Sequence, residues 1–318
     1  MNMGENGKPS LAIVVPCYNE AEVLRQTTER LLAVLEGLQE TAAGDSRILY
    51  VDDGSHDATW DIIERLHTED KRIMGISLAH NSGHQNALMA GLETAVRFAD
   101  LIVTIDADLQ DDETVIKDMV RLGVEGNDIV YGVRSSRATD TWFKRTTAQM
   151  FYRLMSRMGV QTVYNHADYR LMSRRAVEAL LQYGERNLFL RGLVPLLGYR
   201  TARVEYARKE RQAGESKYPL GKMLSLAFDG ITSFSMTPVH MVLWMGAFFL
   251  LAALGIAVWV VSCLVMERTV TGWASLMLSV WLCSGCVLVC LGIVGEYIGK
   301  IYIEVKHRPR YNIKEVAL

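Results

Sequence analysis

Two stretches without a charged side chain, Met241–Met266 and Thr269–Gly295, constrain the fold of this 318-residue chain more than any other feature. A helix made of the first would reach ~39 Å, more than the ~30 Å hydrocarbon core of a bilayer even when tilted. Both are therefore expected to span a membrane as a hairpin, at about 241–266 and 272–295, rather than to form a buried helix pair. Only Glu267–Gly272 and its flanks separate them, so the hairpin returns the chain to the side it left. Lys300, Lys306, Arg308, Arg310 and Lys314 follow the hairpin, and Arg208, Lys209, Arg211, Lys217 and Lys222 precede it. The far loop has one Glu and one Arg, so the positive-inside bias places both ends of the hairpin in the cytoplasm.

The remaining residues carry nearly all the charge and allow a soluble domain of ~200 residues. Met1–Ser10 is polar and the first apolar run is only Leu11–Val15, so no signal peptide is expected. A formal net charge of −2 argues against a nucleic-acid partner. Cys17 falls in the soluble part and Cys263, Cys283, Cys286 and Cys290 in the apolar stretches, which indicates no disulfide framework. Cys283 and Cys286 have no His or acidic neighbour on their helix and read as small apolar residues. Gly292, Gly295 and Gly299 would let a second helix approach closely. Leu220–Phe234 mixes apolar and polar residues and reads either as an interfacial helix leading into the first span or as a surface helix packed on the domain.

The soluble part alternates two periodicities. Apolar runs at Leu11–Val15, Ile48–Val51, Ile73–Leu78, Leu101–Ile105 and Ile129–Tyr131 read as buried strands, the first ended by Pro16. Helical spacing occupies Glu20–Leu38, Ala58–Leu66, Gln85–Phe98 and Glu113–Leu122. Such alternation implies an α/β layer with a mostly parallel sheet, whose ligands gather at the carboxyl ends of the strands.

Three of those strand ends carry polar clusters: Pro16–Glu20, Asp52–Asp57 and Asp106–Asp111. Turn chemistry accounts for any one of them, but not for acidic groups recurring at the same edge. Asp106 and Asp108, two carboxylates at i and i+2 leaving a buried strand, form a hard-oxygen claw suited to Mg²⁺ or Mn²⁺ carrying a diphosphate; a plain Asp cap is the bland alternative. The first strand is not followed by G-x-G-x-x-G, and the chain has no G-x-x-x-x-G-K-[ST] loop, which leaves a metal-bridged nucleotide as the better reading. His84, with no second His at useful spacing, reads as a helix-start or pocket residue rather than a metal ligand.

The ordered set V-V-P-C-Y-N-E (Val14–Glu20), V-D-D-G-S (Val51–Ser55), N-S-G-H-Q (Asn81–Gln85), D-A-D-L-Q-D (Asp106–Asp111), A-D-Y-R-L-M-S-R (Ala167–Arg174) and R-Q-A-G-E-S-K-Y (Arg211–Tyr218) resembles the GT-A fold, family 2 polyprenyl-phosphate glycosyltransferases. Among these it is most similar to bactoprenol glucosyltransferases, with dolichyl-phosphate mannose synthases further away. The resemblance runs through E-R-N-L-F (Glu185–Phe189), G-I-T-S-F-S (Gly230–Ser235) and G-E-Y-I-G-K-I-Y (Gly295–Tyr302). It departs after the claw, where the family commonly has two prolines and this chain has Asp112 and Glu113, implying a more acidic and less rigid loop.

The resemblance implies a GT-A catalytic domain at 1–219, a juxtamembrane segment at 220–238, the two-helix transmembrane hairpin within 239–298 and a basic cytoplasmic tail at 299–318. It implies that Pro16, Tyr18, Glu20, Asp52 and Asp53 hold base and ribose, and that Asp106 and Asp108 bind Mg²⁺ or Mn²⁺. Gln110 would help to position donor or acceptor, and Arg211, Ser216 and Lys217 would meet the donor diphosphate. Arg134 and Arg145 would bind the lipid phosphate. Asp168 takes the position of the family's catalytic base, while its own neighbourhood leaves open an ion pair with Arg170.

The implied reaction is inverting transfer of a hexose, glucose from UDP-glucose, to undecaprenyl phosphate for envelope or O-antigen modification. It would take place at the cytoplasmic face of a bacterial inner membrane, with a homo-oligomer plausible by analogy. Aminoarabinose, GlcNAc or mannose is the alternative sugar. A processive polysaccharide synthase would want a Q-x-x-R-W motif and more spans, neither of which is present. A membrane-tethered nucleotide-sugar scaffold without catalysis is the alternative from another class, and Asp106, Asp108 and Asp168 weigh against it.

Overall fold

The computed structural model describes residues 8–43, 45–108, 110–134, 166–186, 188–207, 237–266 and 272–318. Its strands are β1 (Leu11–Cys17), β2 (Arg47–Asp52), β3 (Ile73–Leu78), β4 (Leu101–Thr104), β5 (Ile129–Arg134), β6 (His166–Ser173), β7 (Thr201–Tyr206) and β8 (Ile313–Ala317). The helices are α1 (Leu24–Glu36), α2 (Thr59–Glu69), α3 (His84–Ala95), α4 (Ile116–Val124), α5 (Arg174–Leu181), α6 (Leu190–Leu196), α7 (Thr237–Val265) and α8 (Trp273–Val305).

All eight strands join one sheet in the order β7-β5-β6-β4-β1-β2-β3-β8. Parallel pairing links β4-β1-β2-β3 and also β5 with β7, while β6 runs antiparallel between β4 and β5 and β8 antiparallel along β3. The sheet is therefore mixed around a parallel centre. Side chains of β1 alternate between two cores: Leu11, Ile13, Val15 and Cys17 pack with α1, α2 and α4, whereas Ala12 and Val14 pack with α3, α5 and α6. That two-sided burial explains why the central strands are apolar without interruption. Helix α3 lies so close to the sheet that a Cβ on Gly91 would come within 2.3 Å of Val14.

The chain leaves β1 through α1 toward β2 and, after β3, crosses by α3 to β4 on the other side of β1. The carboxyl ends of β1 and β4 thus flank a topological switch point, where an open α/β sheet leaves a crevice. Pro16 does not end the first strand, contrary to the sequence expectation; it pairs with Val51 inside β1. Val14, of the same parity as Pro16, bonds toward β4 through Ile105, and the β4 pairing stops at Val14 with Thr104. The N–H that proline lacks would point past the end of β4, so no ladder bond is lost there.

Beyond the sheet, α7 and α8 are 29 and 33 residues long and expose Leu243, Trp244, Leu254, Leu276 and Leu288. Helix α8 continues past Gly295, where the charge-free stretch stops, to Val305. Within it, Leu282–Val305 is long and apolar enough to cross a membrane. A Cβ on Gly292, Gly295 or Gly299 would meet nothing within 4 Å, so among the described residues no helix packs against that stripe. The end of the chain, expected as a basic tail, folds back to form β8 on the edge of β3, and Glu315 accepts a hydrogen bond from the Trp60 indole. The segment 220–236 and the loop 267–271 lie outside the described residues.

Candidate active site

A cleft of about 1050 Å³ opens at the switch point. Its floor comes from the end of β1 (Pro16, Cys17, Tyr18, Glu20), one wall from Asn81–Ala87 at the start of α3, and the other from Asp106–Asp108 and Gln110 beyond β4. Asp168 on β6, Arg134 on β5, and Arg186, Leu188, Phe189 and Arg191 complete it. Of the residues expected to act, Pro16, Tyr18, Glu20, Asp53, Asp106, Asp108, Gln110, Arg134 and Asp168 line this single cleft. Arg145, Arg211, Ser216 and Lys217 lie outside the described residues.

Asp52 departs from the expectation. It is buried, with Oδ1 accepting from the Ser55 N–H (3.1 Å) and Oδ2 from the Ser77 hydroxyl (2.8 Å), so it holds the turn after β2 rather than facing the cleft. Gly54, at φ 68°, makes that turn, and a Cβ there would strike the backbone of His80. Its neighbour Asp53 does line the cleft, but both of its oxygens accept from the start of α3: Ser82 N–H at 2.7 Å and Gly83 N–H at 3.0 Å. Burial raises the Asp53 carboxyl, and those two N–H donors oppose the shift.

The claw is firmly seated. Thr27 Oγ1 donates to the Ala107 carbonyl at 2.9 Å, and the Gln110 N–H donates to Asp108 Oδ1 at 3.2 Å. Burial pushes the Asp106 carboxyl up to about 6; His84 opposes that shift, and Asp111, Asp168 and Asp108 add to it. An acidic cleft of this kind disfavours its own charge and is relieved by a cation. Two hard-oxygen carboxylates there, Asp106 and Asp108, would suit Mg²⁺ or Mn²⁺. Among the described residues no group of three or more His, Cys, Asp and Glu is arranged to hold a metal.

The two residues that replace prolines do not hang free. Asp112 Oδ1 accepts from Thr114 N–H at 3.2 Å and caps the short 3-10 turn Glu113–Val115, while Glu113 is buried 3.6 Å from Arg30. Asp111 is buried too, accepting from the Tyr206 hydroxyl at 2.6 Å with Arg134 Nη2 at 3.6 Å. The carboxylates therefore divide into inward ones that shape the loop and outward ones that face the cleft.

Asp168 is the most constrained group in the site. Its Oδ1 accepts from Arg170 Nη2 at 2.6 Å, and its Oδ2 from Arg191 Nη2 at 3.1 Å. Burial would raise its carboxyl, but Arg191 and Arg170 outweigh burial and hold it well below the usual carboxylate range. The ion pair with Arg170 that the sequence left open is formed, and Arg170 is only 1 % exposed. His84 Nε2 stands 3.7 Å from both Asp106 Oδ1 and Asp168 Oδ2, placing it in the pocket between claw and ion pair as a helix-start residue. Burial, and then Glu20, Asp52 and Asp106, raise the Cys17 thiol well above its ordinary value and disfavour its thiolate.

Sequence reasoning did not pick out Arg186 and Arg191. The signal was in E-R-N-L-F, noted as a motif without a role, and in the Arg two residues after it. The Gln85 side chain secures the same segment, accepting from the Leu190 N–H at 2.9 Å.

A mostly parallel sheet with an acidic claw at its switch point, facing an arginine-lined cleft, is the arrangement of a GT-A glycosyltransferase. Residues 12–181 match glycosyl transferase family 2, and the chain belongs to that family. It is 51 % identical over 313 residues to the uncharacterised glycosyltransferase YkoT of Bacillus subtilis strain 168, covering 97 % of this chain and 92 % of that one. It is 39 % identical to the bactoprenol glucosyl transferase of Shigella phage SfV (96 % and 98 % covered). Identity to the prophage bactoprenol glucosyl transferase homolog of Escherichia coli K12 is 37 % (96 % and 99 %). Among solved structures, glucosyl-3-phosphoglycerate synthase from Mycobacterium tuberculosis aligns at 17 % identity with a TM-score of 0.45, over 70 % of this chain and 76 % of that one.

Proposed function

We propose that the chain transfers a hexose, glucose from UDP-glucose, to undecaprenyl or another polyprenyl phosphate with inversion at the anomeric carbon. The supporting observation is the cleft itself, in which Asp106 and Asp108 face Asp168 and its arginines across a space of nucleotide-sugar size. The names of relatives matching nearly the whole chain, bactoprenol glucosyl transferases, support the lipid phosphate as acceptor.

In this reading Tyr18, 42 % exposed at the cleft, stacks on the base, and Pro16, Glu20 and Asp53 border the nucleoside. Asp106 and Asp108 would hold Mg²⁺ or Mn²⁺, which when bound offsets negative charge growing on the departing diphosphate. An oxygen of the acceptor phosphate forms the new bond to the anomeric carbon. The bond from that carbon to the diphosphate oxygen breaks, and its electron pair leaves with the nucleoside diphosphate. The acceptor oxygen is already anionic near neutral pH, with a second pKa of ~6, and needs no base. Asp168, kept ionised by Arg170 and Arg191, therefore works by position: paired with the buried Arg170, it fixes the Arg191 guanidinium that borders the cleft. Arg134, half held by Tyr206 (3.4 Å) and Asp111 (3.6 Å), borders the same space and meets the lipid phosphate, with Arg145 as its partner in that task.

The exposed apolar surfaces of α7 and α8 support a membrane hairpin with the sheet domain and β8 on the same, cytoplasmic side of a bacterial inner membrane. Arg211, Ser216 and Lys217 serve the donor diphosphate, and 220–238 lies along the interface. The test is label transfer from a panel of nucleotide-sugars to undecaprenyl phosphate by the purified protein, with and without divalent metal. One donor giving metal-dependent lipid label, reduced roughly 10²–10³-fold in Asp108→Asn, is the expected result. Lipid label from no donor, with nucleotide binding intact, would support the non-catalytic scaffold instead.

A further inference from the structure

The wall of the cleft that carries Arg186 and Arg191 is tied to the end of α8. Both carboxylate oxygens of Glu304, in the last turn of that helix, accept from the single backbone N–H of Arg186, at 2.8 and 2.9 Å. Arg186 Nη2 donates to the His307 carbonyl at 3.3 Å. Three residues further on, Arg310 Nε donates to the Glu185 carbonyl at 3.2 Å, and its Nη2 reaches the Tyr183 carbonyl. On its other side the same wall meets the cleft, with Leu190 N–H on Gln85 and Arg191 on Asp168. Tyr183–Arg186 belongs to no regular element; the Tyr183 N–H donates to the Leu180 carbonyl, while the Arg186 N–H and the Tyr183 and Glu185 carbonyls are met from further along the chain. Those partners come from more than a hundred residues downstream, in the last turn of α8 and in the segment between it and β8.

We propose that Glu304 is a positioning residue for the transferase cleft, bracing the backbone at Arg186 so that Arg186 faces the cleft and Arg191 reaches Asp168. A charged acceptor on one N–H is a strong local constraint, and an isolated loop amide is the kind of group that otherwise opens at little cost. The brace also joins the apolar helix to the catalytic wall directly. Displacement of the end of α8 would therefore be felt at Arg186 before it reached the sheet. The kinetic part of this inference rests on the family's transfer activity, and its structural part on no substrate at all.

The test is amide hydrogen exchange on the full chain in detergent micelles, comparing wild type with Glu304→Gln and Glu304→Ala. Glu296→Gln is the control, since Glu296 pairs along the helix with Lys300. Exchange at 183–186 and 188–191 is expected to rise about tenfold or more in both Glu304 variants, a charge-assisted bond being lost. Exchange in β1–β4, and everywhere in the control, is expected to stay unchanged. Alongside it, kcat for release of sugar from the nucleotide-sugar, to lipid or to water, is expected to fall about tenfold with donor KM within twofold. Unchanged exchange in the wall, equally faster exchange in β1–β4, or faster exchange with full kcat would each overturn the proposal. Because exchange is read without acceptor, failure of the polyprenyl phosphate reading leaves that arm intact.

Discussion

A carboxylate gripped by two guanidiniums is a weak proton acceptor, and this decides what Asp168 contributes. Its depressed carboxyl stabilises the fold fully above the unfolded value of ~3.9 and loses that contribution only as pH falls through the lower folded value. Between pH 5 and 8, then, nothing at Asp168 titrates. The acid limb of kcat/KM is expected to follow the acceptor's second ionisation, and an acceptor analogue whose second pKa is one unit higher should move the limb up by about one unit. A limb that stays put with the analogue would assign it to the enzyme instead, with Asp106, pushed up to about 6, the first group to test. Asp168→Asn has a second expected effect. It leaves Arg170 charged and buried against a neutral amide, which costs ~3–5 kcal/mol and should lower the thermal unfolding midpoint by many degrees. A variant that melts like the wild type would mean that the ion pair does not support the fold. The motifs made it legible that Asp168, the claw and Asp53 share one cleft, the claw and Asp53 from their strand ends and Asp168 from the resemblance. Asp52 and Arg191 were not legible, because adjacent carboxylates in one turn face opposite ways and a guanidinium's partner is chosen by tertiary contact.

Elements place these residues, and packing sets their tolerances. Gly91 lets α3 approach β1 and β2; a Cβ would fall 2.3 Å from Val14 Cγ1 and 2.9 Å from Val51 Cγ2. Gly91→Ala is expected to cost ~1–3 kcal/mol by overpacking, despite the better helix propensity of alanine. Differential scanning of the two proteins checks the sign: a midpoint equal to or above the wild type's would show that α3 can shift outward freely. Since Ser82, Gly83 and His84 begin that helix, the same variant should also weaken nucleotide binding. The parallel centre was readable because its strands are buried on both faces and uninterrupted. β6 was hidden because Tyr169, Arg170 and Ser173 break its apolar run, and the buried Arg170 is paired with Asp168 beside it. β7 alternates exposure at the sheet edge, and β8 is recruited from beyond the apolar helices by the open edge of β3. Neither kind of strand announces itself by local hydrophobicity.

At the scale of the whole molecule, the question is what solvates α7 and α8. Leu243, Trp244, Leu254, Leu276 and Leu288 are each at least 60 % exposed, far more apolar surface than a soluble monomer leaves to water. Lys306 stands 4.0 Å from the Tyr302 ring at the domain-side end of α8, a pairing at home where headgroups meet water. The two long apolar helices were legible from the charge-free stretches alone, whereas the attachment of α8 to the cleft wall through Glu304 depends on contacts no local pattern encodes. Native thiols offer the decisive measurement. Cys283 is exposed on α8 in the isolated chain, and Cys17 is buried in the domain. In sealed inside-out membrane vesicles a charged, impermeant maleimide is expected to label neither, and after unfolding in dodecyl sulfate to label both. A soluble or peripherally bound chain would expose Cys283 to the reagent at once. Rapid labelling of Cys283 in intact vesicles would therefore remove α8 from the bilayer and, with it, the placement of the cleft against a lipid acceptor.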